Sequence, residues 1–443
     1  ELKNVSFKYQ DKYILKDINV TFTQGHKYLI VGENGSGKST LFRLIVNFTD
    51  NYEGNILING RDIKEFNDSI YEEIGIVLQS PFMFNDTLLN NITLYQNYEK
   101  DSIRTVLNSL GLQTFLKKHN LEDIYQDTKD NLSGGEKQKI ACASAAMMEP
   151  EIFVLDEPSS NLDINSIREL AEVITLWKNQ GKTILIAEHR LSYLMDLADR
   201  VLYMKDGQIE NDFSIADFRK IAPIEISRMG LRSLYPVTFN NHHTFTAKNK
   251  DEIILSDFRF AYVESLVLQV EHLVIPQSSI VGVIGNNGAG KTTFARCLCG
   301  LEKKASGAIT IKGKTYLRKN RLNQCYMVMQ NPSHQLFTED VLDEVLLSMD
   351  GDEEENRPIA EKILSDLNLT QFSERHPMSL SGGQQQRVAI ASAVASGREI
   401  MVFDEPTSGL DFRHMEEVAK LLRELQKTGK TLFIITHDPE LLE

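Results

Sequence analysis

A chain of 443 residues exceeds what one ordinary hydrophobic core fills and predicts two or three domains. Its 42% apolar and 25% charged residues are those of an ordinary globular protein, and no apolar run approaches the roughly 18 residues that cross a bilayer. The net charge of −14 argues against nucleic acid as a direct partner, because such binding rests on Lys and Arg neutralising phosphates.

Neither a secretory leader nor a metal-binding cysteine pattern is present. The first residue is Glu1 rather than Met, so the natural start is expected to lie outside the given chain. Cys142, Cys297, Cys299 and Cys325 have no paired ligand spacing and read as small buried hydrophobes of a reducing compartment.

In chain order, residues 2–22 alternate in polarity around a break at Tyr9-Gln10-Asp11-Lys12 and predict an antiparallel sheet. The apolar run Tyr28-Leu29-Ile30-Val31 then leads into Gly32-Glu33-Asn34-Gly35-Ser36-Gly37-Lys38-Ser39-Thr40 and an apolar helical pattern. Strand, glycine-rich loop and helix form the context in which this spacing makes a phosphate cradle. Gly32, Gly35 and Gly37 let the backbone around Asn34 curl until its N–H groups point inward at a helix N-terminus. Lys38 reaches the β- and γ-phosphates, Ser39 offers a hydroxyl to Mg²⁺, and Thr40 extends the anion site.

Further strands are predicted near residues 55–60 and 74–79, a helical lobe over 85–121, and a small-residue helix over 134–148. The strand 152–155, a helix over 164–180 and the strand 183–187 complete an alternating α/β pattern. Continuous apolar strands of this kind belong to a parallel sheet covered on both faces.

The chain then repeats itself. Gly285, Asn287, Gly288, Gly290, Lys291, Thr292 and Thr293 restate the cradle after the apolar run 280–284. Ser133 and Ser381, Asp156 and Asp404, and His189 and His437 are each separated by the same 248 positions. A constant internal spacing in both halves is the mark of two copies of one domain. The expected boundaries are 1–210 for the first copy, 211–250 for a partly structured linker, and 251–443 for the second. Only six residues follow His437, so the second copy is expected to lack its final strands. His242-His243 falls in the linker and reads as an exposed polar loop rather than a metal site.

Each copy carries the same chemical groups. Asp156 and Asp404 end buried strands beside the cradle, where a carboxylate holds Mg²⁺ through water. Glu157 and Glu405 follow directly and are the candidate general bases, or orienters of an attacking water. His189 and His437, each 33 positions beyond the aspartate, are candidate γ-phosphate contacts. Gln79 and Gln330 end strands and bring an amide towards metal or water. Tyr9 and Tyr262 precede the cradles and either stack on a nucleotide base or fill the core. Leu132-Ser133-Gly134-Gly135-Glu136 and Leu380-Ser381-Gly382-Gly383-Gln384 offer a hydroxyl and N–H groups to an anion at a helix start.

With these motifs in this order in both halves, the chain resembles the ATP-binding-cassette (ABC) ATPases over nearly its whole length. The resemblance implies two P-loop domains, each with a parallel core sheet, an antiparallel β subdomain and a helical subdomain. It further implies that the cassettes pair head to tail within the chain. One site would join Lys38, Ser39, Gln79, Asp156, Glu157 and His189 to Ser381, Gly383 and Gln384. The other would join Lys291, Thr292, Gln330, Asp404, Glu405 and His437 to Ser133, Gly135 and Glu136. Asp163 and Asp411 would lie in the linking loops. Both sites keep their glutamate and histidine, so both are expected to hydrolyse ATP with Mg²⁺. Glu136 stands where the family has Gln, and Lys139 where the second copy has Arg387.

Residues 330–337, 187–191 and 229–232 are similar to the fused ATPases of energy-coupling-factor importers of vitamins or metal ions, whereas 79–92 are closer to exporter cassettes. The resemblance implies a peripheral protein at the cytoplasmic face of the membrane, partnered by an integral membrane transporter subunit. An exporter ATPase is one alternative. A soluble ribosome-acting tandem cassette protein of the ABC-F type is another, although its longer charged helical linker has no counterpart here. A DNA-repair cassette ATPase would need long internal heptads, and none is seen.

Overall fold

The computed structural model describes residues 1–66, 69–79, 81–110, 112, 120–121, 132, 134–160, 162–237, 252–262 and 265–442. They form two compact units: Glu1–Val237 with Gly409–Arg413, and Thr238–Ser408 with His414–Glu443.

In the first unit, a six-stranded sheet runs in the order Gln208–Ser214, Arg200–Lys205, Lys27–Val31, Thr183–Ala187, Ile152–Asp156, Ile74–Val77. All neighbours are parallel except the antiparallel edge strand Gln208–Ser214. Lys27–Val31 and Thr183–Ala187 are buried at every position, as strands covered on both faces must be. A second, antiparallel sheet of four strands follows the order Lys12–Val20, Leu2–Tyr9, Glu53–Ile58, Arg61–Asp62.

The helix Lys38–Ile45 lies between these two sheets. Leu41, Leu44 and Ile45, at helical spacing, join Tyr28, Ile30, Val154, Leu185 and Leu202 of the parallel sheet and Leu15 and Ile18 of the antiparallel one. Burying each such side chain contributes about 1.5–3 kcal/mol, and it pins the helix start at the end of the Lys27–Val31 strand. The opposite face of the sheet is covered by the helices Gly134–Met147 and Ile164–Asn179. Trp177 of the latter stacks on Phe153 of the Asp156-bearing strand, with ring centroids 3.8 Å apart and planes 11° from parallel. Described helices Leu88–Thr93 and Lys100–Ser109 stand in the region expected to form the helical lobe.

The second unit repeats the plan. Its parallel sheet runs Ile280–Val283, Thr431–Ile435, Ile400–Asp404, Cys325–Val328, and its antiparallel sheet runs Ser265–Pro276, Glu252–Tyr262, Ala308–Ile311, Lys314–Leu317. The helix Lys291–Leu298 follows the glycine loop, and Val341–Leu346, Glu353–Asp366 and Gly382–Ala395 make the helical part. All four cysteines are buried, as their reading as small hydrophobes requires.

The region read as a linker begins with ordered structure. Residues 211–214 finish a strand paired to Arg200–Lys205, and the helices Ile215–Phe218 and Pro223–Arg228 follow within the first unit. Phe218, Ile226, Leu231 and Leu234 are buried in its core cluster. Apolar residues spread singly through a polar stretch conceal this role, since each helix fully buries only one of them, Phe218 and Ile226. His242-His243 lies outside the described residues.

Candidate functional site

In the first unit the site grows from the C-terminal ends of the parallel strands, where crevices form in open α/β sheets. Gly32, Gly35 and Gly37 hold φ values of 154°, 80° and 105°, and Gly285, Gly288 and Gly290 repeat them at 153°, 77° and 89°. Such a succession of positive-φ residues turns backbone N–H groups into an anion nest. Lys38 is buried at the helix start, and its Nζ donates to the carbonyls of Gly32 (2.8 Å) and Glu33 (3.0 Å). Burial pushes its ammonium below the ordinary lysine range, against the opposing pull of Glu157. Lys291 makes the equivalent bonds to Gly285 (2.7 Å) and Asn286 (2.9 Å).

Ser39 Oγ donates to Asp156 Oδ1 at 3.1 Å, and Thr292 is hydrogen-bonded to Asp404 in the second unit. Burial raises both aspartates above the usual carboxylate range. A carboxylate strained in this way gains from a nearby cation, and hydroxyl plus carboxylate is the oxygen set that Mg²⁺ takes. Among the described residues no group of three His, Cys, Asp or Glu side chains forms a metal cage. The residues therefore fit an ion whose remaining ligands come from water and phosphate oxygens.

Two side chains converge on Glu157. Gln79 Nε2 donates to Oε2 at 2.7 Å, and His189 Nε2 lies 3.1 Å from Oε1. The same Nε2 is 2.9 Å from Asn34 Oδ1. With two oxygen acceptors before it, Nε2 must carry the ring hydrogen. Burial alone would raise the Glu157 carboxyl, but the His189 bond and the charges of His189, Lys38 and Arg232 outweigh it and hold it below the usual range. In the second unit His437 Nε2 is 3.3 Å from Glu405 Oε1, and the His437 backbone N–H donates to Oε2 at 3.3 Å.

Glu157 and Glu405 themselves sit at φ 46° and 50°, in the left-handed region. Their backbone N–H groups donate to Ala187 and Ile435, each at 2.9 Å, so the neighbouring strand holds the turn. Non-glycine residues in this conformation concentrate at functional sites because the backbone there is strained.

The remaining expected residues are placed as follows. Thr40 and Thr293 lie in the first turns of the two loop helices. Tyr9 is exposed at a strand end, edge-on to Phe7, so it does not fill the core. Tyr262 ends the strand Glu252–Tyr262. Ser133 lies outside the described residues. Gly135 packs closely on the helix Ile164–Asn179, where an added Cβ would meet Ser166 Oγ at 2.9 Å. Glu136 and Gly383 stand in the first turns of Gly134–Met147 and Gly382–Ala395. Ser381 caps the latter helix, and Gln384 accepts from the Ser381 N–H at 2.9 Å, so the Gln384 side chain closes a capping box. Asp163 caps Ile164–Asn179 by accepting from Ser166 N–H at 2.7 Å. Asp411 is fully buried just ahead of the helix Phe412–Lys427. Gln330 lies two residues beyond the strand Cys325–Val328.

Sequence reasoning missed the left-handed glutamates and two buried carboxylates, Glu188 and Asp438, that flank the histidines. The backbone bonds that hold the left-handed turns, Glu157 N–H to Ala187 and Glu405 N–H to Ile435, and the bonds from Ser159 to Glu188 and from Thr407 to Asp438 join residues far apart in the chain.

The ABC transporter family model matches residues 15–160 and 268–408, which include both glycine loops. A Treponema denticola protein named as an ABC transporter ATP-binding protein is 39% identical over 475 residues, spanning 100% of this chain and 93% of its own length. A Methanosarcina mazei protein of the same description is 29% identical over 506 residues, spanning 99% and 84%. Among solved structures, the archaeal ribosome recycling factor aABCE1 in complex with ribosomal stalk protein aP1 is similar at 24% identity and a TM-score of 0.66, over 99% of this chain and 85% of that one. A model of ribosome-bound archaeal Pelota and ABCE1 gives 22% identity and a TM-score of 0.71, over 99% and 74%. These two likenesses concern the fold. With both repeats matched by the family, the chain belongs to the ABC transporter family and is an ATPase that binds ATP with Mg²⁺.

Proposed function

We propose that the chain is the ATP-hydrolysing subunit that energises a separate membrane transporter. The observation that carries the hydrolytic part is the convergence of Gln79 and His189 on Glu157 beside Lys38 and Asp156. In this reading the nest and Lys38 bind and orient the phosphates, and Ser39 and Asp156 hold Mg²⁺, which neutralises charge on the transferred phosphoryl group. Glu157 accepts a proton from the attacking water or aligns it, and a lowered pKa keeps it ionised for that task. His189 fixes the carboxylate through Nε2–H. Lys291, Thr292, Asp404, Glu405 and His437 have the same roles in the second unit.

The transporter part rests on a different surface. Phe82, 77% exposed, meets Phe84 edge-on, and Phe84 meets Tyr95 in the same manner, just beyond Gln79. Phe337, also 77% exposed, stands beyond Gln330. Large exposed aromatics in one segment favour a protein partner. No helix among the described residues is long and apolar enough to cross a membrane, so in this reading the translocation path belongs to another subunit. The similarity of residues 330–337 to energy-coupling-factor ATPases favours an uptake system for a vitamin or metal ion.

Affinity capture of the full chain from detergent-solubilised membranes tests this reading. It expects an integral membrane protein to copurify and to raise ATP turnover when reconstituted. Capture of ribosomes under ATP-trapped conditions, with no membrane protein, would support the ribosome-acting alternative instead.

A further inference from the structure

The residues either side of the two histidines differ between the repeats: Glu188 and Arg190 flank His189, whereas Thr436 and Asp438 flank His437. Glu188 and Asp438 are both almost completely buried, at 2% and 1% exposure. A carboxylate in such a place is costly unless its oxygens are satisfied by donors.

In the first unit Glu188 accepts four hydrogen bonds. Oε1 takes the backbone N–H groups of His189 (2.8 Å) and Arg190 (3.2 Å). Oε2 takes the Ser159 backbone N–H (3.2 Å) and the Tyr193 hydroxyl (2.9 Å). Ser159 is the second residue after Glu157, in the turn that follows the left-handed glutamate. The carboxylate therefore ties the histidine loop to the glutamate turn from behind, parallel to the His189–Glu157 contact in front. Arg190 adds a tie from the same loop, donating Nη1 to Leu162 O at 3.0 Å.

In the second unit the equivalent tie comes from the other side of the histidine. Asp438 Oδ2 accepts from the hydroxyl of Thr407, the second residue after Glu405, at 3.1 Å. Asp438 Oδ1 accepts from the Glu440 N–H at 3.2 Å, and Thr436 Oγ1 accepts from the Asp438 N–H at 2.9 Å. Thr407 occupies the position that Ser159 has in the first repeat. One connection is thus made twice with different residues.

We infer that Glu188 and Asp438 are equivalent positioning residues, each holding its histidine and catalytic glutamate in register by bonding the turn two residues beyond the glutamate. The inference rests on the hydrolytic reading above and adds that the clamp has moved across the histidine between the repeats. Each carboxylate acts through its neighbours: Glu188 through His189 and Glu157, and Asp438 through His437 and Glu405.

The test measures steady-state ATP turnover, nucleotide affinity and thermal midpoint of the full chain. Glu188→Thr leaves four donors without their acceptor and is expected to lower kcat about tenfold to a hundredfold, the scale of a displacement of about 1 Å in a catalytic group. Nucleotide affinity is expected to stay within about twofold of the parent, because the nest and Lys38 are untouched. The double change Glu188→Thr with Arg190→Asp installs the Thr-His-Asp order of the second unit and is expected to recover most of the lost kcat. A purely structural role predicts no such recovery by a carboxylate placed elsewhere.

Should Glu188→Thr fail to fold, Glu188→Gln replaces it. Gln is isosteric and retains one acceptor oxygen but turns an NH2 towards backbone N–H donors, so kcat is expected to fall severalfold in protein that still folds, with a lowered midpoint. A folded Glu188→Gln with full kcat overturns the inference, as does a folded double variant no faster than Glu188→Thr. A parent chain without ATP turnover would remove the hydrolytic reading itself, and the inference with it; an active parent with an equally active Glu188→Gln would remove the inference alone.

Discussion

Gly32 and Gly35 both hold positive φ in the first phosphate loop, 154° and 80°, yet their surroundings differ. A Cβ added at Gly32 would lie 2.2 Å from the Met204 carbonyl oxygen and 2.8 Å from Ser36 Oγ. At Gly35 the same atom would meet nothing within 4 Å. Replacing either glycine by Ala incurs the backbone strain of such a conformation, about 1–3 kcal/mol. Only Gly32→Ala must also push back the strand Arg200–Lys205 or distort the loop, which adds about 1–3 kcal/mol of overpacking. For a unit of this size that difference corresponds to about 2–12 °C in thermal midpoint. Differential scanning calorimetry of the two single variants measures it directly. Gly32→Ala is expected to melt lower than Gly35→Ala. Equal midpoints, or a lower one for Gly35→Ala, would refute the steric reasoning.

Other consequences follow from the carboxylates. Asp404 is buried and its pKa raised, so at neutral pH its charge destabilises the nucleotide-free fold. Asp404→Asn is therefore expected to raise the thermal midpoint of the nucleotide-free chain while weakening Mg²⁺-dependent ATP binding; a fall in midpoint, or unchanged binding, contradicts this. Glu157 has the opposite sign. Its folded pKa lies below the ordinary value of 4.5, so its contribution to stability is present above that pH and is lost as pH falls through the folded value. The difference in midpoint between the parent and Glu157→Gln is expected to favour the parent most above about pH 5 and to shrink on acidification. A difference that grows on acidification would show that the His189 contact is not the dominant influence.

Much of this fold and site was legible in the residues themselves. The strand–loop–helix unit around Lys38 was readable because its apolar strand, its glycines and its helix pattern are contiguous. The same holds for the strand ending at Asp156, whose four apolar residues announce burial on both faces. Repetition then supplied what no single copy could, by marking which polar residues recur at fixed spacing.

What stayed hidden depends on neighbours across the sheet. The left-handed turn at Glu157 is held by Ala187, and Gly32 is constrained by Met204, each a residue of an adjacent strand but distant in sequence. Glu188 is not legible from the repeat because its counterpart, Asp438, lies on the other side of the histidine, so matching the repeats position by position pairs Glu188 with Thr436. Residues 211–234, part of the stretch 211–250 that reads as a partly structured linker, hide their role for a related reason. Their apolar positions are sparse, and only the surface left open by the first sheet's edge gives them something to pack against.

The central claim is that both glutamate-centred sites turn over ATP. Steady-state hydrolysis by the full chain, compared with Glu157→Gln, Glu405→Gln and the double variant, tests it most directly. The account predicts a strong loss of kcat for each single change, and no measurable turnover for the double variant while ATP remains bound. A single variant that keeps the parental rate would contradict it, marking that site as a nucleotide pocket without catalytic function.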